Sequence, residues 1–120
     1  MIKTKLKSIL NAREAVQKLI KKDLPVAVSF RVAKLVNAMN VELAVYDAER
    51  NKLCEKYGKL NESKTEYKII RRDEFQKELI SLFDIELELD ANKVVLPKET
   101  TITPADLIAL DDFVEVENDD

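Results

Sequence analysis

The sequence predicts an α+β fold dominated by helices: an antiparallel helix pair with one very long member, a small antiparallel sheet and a short C-terminal helix. Three observations carry that prediction. One glycine and three prolines in 120 residues are too few turn residues for an all-β sandwich or barrel. No glycine or proline interrupts 26–57, where Val28, Val32, Leu35, Met39, Leu43, Tyr46, Leu53 and Tyr57 recur at near-heptad spacing. Two short stretches, "IKTKLK" and "IELEL", alternate apolar and charged residues at the period of a half-buried strand.

The length suits one domain spanning 1–120. Residues 2–6 form the first strand, with Ile2, Thr4 and Leu6 on one side and Lys3, Lys5 and Lys7 on the other. Asn11 is placed to cap the first helix, with Glu14 completing a capping box. Ala12, Ala15, Val16, Leu19 and Ile20 make its apolar stripe. Lys18, Lys21 and Lys22 suit the negative end of its dipole.

Pro25 opens the long helix, and Gly58 is the residue expected to end it in a left-handed cap. A helix of that length spans about 50 Å, more than a monomer of this size needs to cover its core. Beside the near-heptad stripe it carries a second apolar face: Val26, Phe30, Ala33, Val41, Ala44 and Ala48. Small residues there permit close helix approach. Either the acidic half of the chain covers this face or a second copy does, as a homo-oligomer, dimer or higher.

Residues 59–71 read as a polar loop, insert or small hairpin. Asp73 is placed to cap a helix with Phe75, Leu79, Leu82 and Phe83 on one face. Strands follow at 85–89 and 93–96, which join 2–6 in one sheet. In "TITPADLIALDDF", Thr103 is the N-cap and Pro104 takes the first helical position. That helix is expected to bury itself against the long helix, and 114–120 to be an acidic frayed tail.

Charge divides unevenly. Residues 1–59 hold thirteen Lys/Arg and six Asp/Glu, and 60–120 hold seven and seventeen. The lysines of the first strand match the glutamates of "IELEL" and would lie across from them, each pair contributing roughly 0.2–1 kcal/mol. That complementarity of pattern is why the assignment is preferred to a nucleic-acid-binding arm; separately, the overall balance of −3 disfavours nucleic-acid binding, since such proteins are usually basic.

The chemistry is restricted. There is no histidine and one cysteine, Cys54. Serine triads, Cys–His pairs and histidine- or cysteine-based metal sites are excluded. One glycine cannot build a phosphate loop. Glu86/Glu88 and Asp111/Asp112 are carboxylate pairs of a kind expected by chance in so acidic a chain. A non-enzymatic protein without a cofactor is the reading. Arg50 breaks the near-heptad stripe between Tyr46 and Tyr57. These three are the candidate contacts for a small anionic ligand or a partner carboxylate, against an internal ion pair for Arg50. No apolar run reaches the length of a membrane span or a signal peptide, so a cytoplasmic protein is expected.

The stretches "LPVAVSFRVAKLVNAMNVELAVYDAERNKLCEKYGK", "FQKELISLFDIELEL" and "TITPADLIALDDFVE" resemble a family of small uncharacterised proteins from tailed bacteriophages and prophages of low-GC bacteria, grouped as a domain of unknown function. The resemblance covers nearly the whole chain and contains no catalytic motif. It implies a phage-encoded protein made in the bacterial host cytoplasm. In that setting the first expectation is an accessory protein of virion assembly or structure, working through contacts with phage or host proteins. The alternative is an anti-defence protein that binds a host immune protein or sequesters a small nucleotide signal. A DNA-associated regulator comes third.

Overall fold

The computed structural model describes residues 1–60 and 66–117. The α+β, mainly helical architecture is as the sequence predicts. Its elements run β1 (Ile2–Lys5), α1 (Leu6–Leu19), α2 (Val26–Tyr57), β2 (Gly58–Leu60), β3 (Tyr67–Ile69), α3 (Arg72–Phe83), β4 (Glu86–Leu89), β5 (Val94–Leu96), α4 (Pro104–Ala109) and β6 (Val114–Val116). The molecule measures 57 × 29 × 24 Å. Its long dimension is set by α2, whose 32 residues span about 48 Å.

β1 pairs antiparallel with β4. Lys3 lies opposite Glu88 and Lys5 opposite Glu86, while Ile2 faces Leu89 and Thr4 faces Leu87. The charged alternation thus sets the register the sequence predicts. The helix α1 begins directly after β1, earlier than the Asn11 cap predicts. Its cap position is Lys5, with no side-chain bond, and Asn11 is an exposed residue inside the helix. Two causes act together. Leu6 and Ile9 extend the buried stripe by a turn, and the Leu6 N–H donates to Ile85 O at 3.0 Å. A donor otherwise left over at a helix start is therefore occupied by the ribbon.

α1 folds back along α2, so that Leu19 lies near Val32 and Val16 near Met39. Val32, Leu35 and Met39 join Ile9, Leu19, Leu89, Leu96, Leu110 and Phe113 in the main core. Gly58 is extended (φ −122°, ψ 174°), not left-handed, and starts β2 at once. Glycine is needed there for space: a Cβ would stand 2.5 Å from Cys54 O. The 59–71 region does form a hairpin, with β2 and β3 antiparallel; its tip at 61–65 lies outside the described residues. Asp73 does not cap α3. It sits with Glu74 in the first turn, where the cap is Arg71 and negative charge complements the dipole.

The third expected strand leaves the sheet. β5 pairs with β6 in parallel, Val94 opposite Val114 and Leu96 opposite Val116. Parallel strands need a crossover, and α4 supplies it. So 114–116 is a strand with Val114 buried and not a frayed tail; 118–120 lie outside the described residues. The Thr103 cap forms, its hydroxyl oxygen accepting from Asp106 N at 3.2 Å. The helix it starts lies along α1 and not α2, tied by Lys18 to Asp106 at 3.4 Å. α4 ends at Ala109, and residues 110–113 form a turn that drives Leu110 and Phe113 into the core with no exposure.

Candidate functional site

The distinctive surface is the side of α2 turned away from the core. At 100° per residue, Val32, Leu35, Met39 and Tyr46 point inward, and all four are buried. Val26, Phe30, Ala33, Val41, Ala44 and Ala48 lie nearly opposite. All six are exposed, Phe30 by 62% and Val41 by 64%. The acidic half of the chain therefore does not cover this face. Large apolar side chains left this open along one helix mark an interaction surface more often than scattered exposure does. Lys34 is the one charged neighbour drawn onto the face, its Nζ 5.2 Å from the centre of the Phe30 ring.

Two members were not singled out in the sequence. Val45 is 57% exposed at the edge of the face, and Asn37 is exposed in its middle. An eleven-residue spacing links Val26 with Asn37, Phe30 with Val41, Ala33 with Ala44 and Asn37 with Ala48. Eleven residues make close to three helical turns, so the face runs almost straight along the helix. That repeat is the signal that brings in Asn37. Ile20, which caps the end of α1 and is 46% exposed, borders Ala33 across a shallow groove and widens the apolar area.

The structure separates Tyr46, Arg50 and Tyr57. Tyr46 is buried, its ring 6.2 Å from that of Phe83. Tyr57 belongs to a second, smaller core with Cys54 and Phe75. Its ring is flanked by Lys56 Nζ at 5.0 Å and Arg71 Cζ at 5.3 Å. Arg71 also donates to Lys56 O at 3.2 Å. The Lys56 pKa is raised, first by the Tyr57 hydroxyl and then by the carboxylate of Glu78, 3.4 Å away. Arg50 is exposed and makes no ion pair with a described residue. Both rings are thus engaged in packing, and Arg50 alone of the three is open to an anion.

Elsewhere, an open groove of about 740 Å³ runs over the β1–β4 ribbon, lined by Lys3, Lys5, Ser8, Glu86, Glu88 and Asp112 among others. On its floor the Thr4 hydroxyl donates to Asp112 Oδ2 at 3.0 Å. Asp112 thus ties β1 to the turn before β6. Glu86 and Glu88 face their cross-strand lysines. Among the described residues no three His, Cys, Asp or Glu gather as a metal site, and no helix is long and apolar enough to cross a membrane. Cys54 is buried. Comparison of the chain with protein-family models, with curated proteins and with solved structures gave no match.

Proposed function

We propose that this is a non-enzymatic phage accessory protein that acts through protein contacts in virion assembly or structure, with the outer face of α2 as its contact surface. The observation that supports this reading is the uncovered apolar face itself. The core does not use it, and no carboxylate interrupts it between Val26 and Ala48. The phage setting rests on the sequence resemblance, and the cytoplasm of the host is where such a protein would be made.

The test is replacement of the gene in its own genome by a Val41→Glu, Ala44→Glu variant, followed by prophage induction. Both positions are exposed, so the variant should fold and accumulate like wild type. On the proposed reading particle yield falls by about tenfold or more, as weakening each contact by at least about tenfold in affinity (about 1.4 kcal/mol) would lower assembly. An unchanged yield overturns it. A yield that falls only in hosts carrying defence systems would instead make the partner a host immune protein.

A further inference from the structure

The outer face of α2 reads the same in both directions. From Val26 to Ala48 its residues fall at intervals of 4, 3, 4, 4, 3 and 4, a pattern symmetric about Asn37. The side chains are complementary under the same symmetry. If a second copy of the helix is laid antiparallel with the two Asn37 residues facing each other, Phe30 meets Ala44, Ala33 meets Val41, and Val26 meets Ala48. A large group then faces a small one in every layer but the central Asn37 layer, as close packing requires. A parallel pair would set Phe30 on Phe30 and Ala44 on Ala44, crowding some layers and leaving voids in others. It would also place Lys34 level with its own copy.

We propose that a second copy of this chain occupies the face, as an antiparallel two-fold dimer centred on Asn37. This rests on the reading of the face as a contact surface and adds to it the occupant, the direction and the register. At the two-fold axis each Asn37 amide can donate to the other's carbonyl, so both copies gain from one pairing. A single polar residue in an otherwise apolar seam fixes register in this way, because any slip leaves it buried and unpaired. The Lys34 ammonium lies over the Phe30 ring in the single chain; its long stem lets it swing from the flank into water when the ring is covered. Residues 26–48 span about 33 Å. A helix contact that long, widened by Ile20, removes on the order of 1,000 Å² in total from water, the lower bound for a specific interface. The dimer is therefore concentration-dependent.

Sedimentation velocity of the full chain from about 1 to about 100 μM brackets an interface of this size. The mass should rise from 13.8 kDa toward twice that value, and Ala44→Glu should weaken association at least about tenfold with unchanged circular dichroism. Register is read by cysteine cross-linking under mild oxidation, in a Cys54→Ala background whose spectrum matches wild type. Asn37→Cys should cross-link to itself. Ala33→Cys should not, but should cross-link to Val41→Cys when the two proteins are mixed. A chain that stays at 13.8 kDa throughout overturns the dimer. Efficient self-cross-linking of Ala33→Cys overturns its direction. Either result leaves the phage-yield test of the contact surface to stand or fall by itself.

Discussion

The two ends of α2 are held in different ways. Its first half lies in a core whose central members, Ile9, Leu96 and Phe113, have no exposed surface. Its last turn lies in a smaller core of Cys54, Tyr57 and Phe75, each retaining 8–9%. The ribbons beside the two cores differ in the same sense. β1–β4 sets lysine against glutamate, whereas β2–β3 sets Lys59 against Lys68. One end is fully buried at its centre and electrostatically matched. The other keeps some exposure and carries a like-charge pair. Local opening follows such differences in burial, so the hairpin end should exchange its amide protons first.

The comparison is broken most severely at Val32. Val32→Asp places an uncompensated charge in the main core and should lower stability by more than about 4 kcal/mol. Val41→Asp, on the outer side of the same helix, should stay within about 0.5 kcal/mol in the monomer. Thermal melts of the two at low concentration check the assignment of faces. Phe113→Ala comes next, at about 3–5 kcal/mol, because the vacated volume is enclosed on all sides. Urea titration should show one cooperative transition shifted as a whole. Phe75→Ala should cost less, about 2 kcal/mol, since its site at the rim can collapse or admit water. Hydrogen exchange should then lose protection in α3, β2 and β3 while α1 keeps it. The smallest effects are the most pointed. Lys3→Glu should destabilise, and Lys68→Glu should stabilise, each by about 0.2–1 kcal/mol. If both destabilise, cross-strand charge is not what separates the two ribbons.

Much of the main core was legible because its signals are local or complementary. The β1–β4 register follows from two alternating strings of opposite charge. The inner stripe of α2 follows from spacing alone, and Thr103 with Pro104 marks a helix start in four residues. What escaped depends on distant partners. Leu6 serves a strand pattern and a helix pattern equally well, and the Ile85 carbonyl, 79 positions away, selects the helix. β5 and β6 are three residues each, too short for alternation to name a partner, and the acids around Val114 and Val116 mask a strand. Tyr46, Arg50 and Tyr57 share a stripe along the sequence. The structure turns the two rings into packing groups, because Phe83 and Phe75 come from an element whose position the stripe does not reveal. The outer face was visible as a list of apolar residues. Its symmetry about Asn37 was hidden because an asparagine does not register in a search for apolar positions.

The crossover that brings β6 beside β5 also fixes an order of events. Phe113 and Val114 share one core with Ile2 and Ile9, and Thr4 is held by Asp112. During synthesis α1 and most of α2 leave the ribosome with their inner faces uncovered, and they wait for residues more than a hundred positions behind the start. Such long-range closure slows folding. Until it completes, the chain exposes both faces of α2 together, and the nascent protein is at its most vulnerable to chaperones, proteases and premature association in that interval.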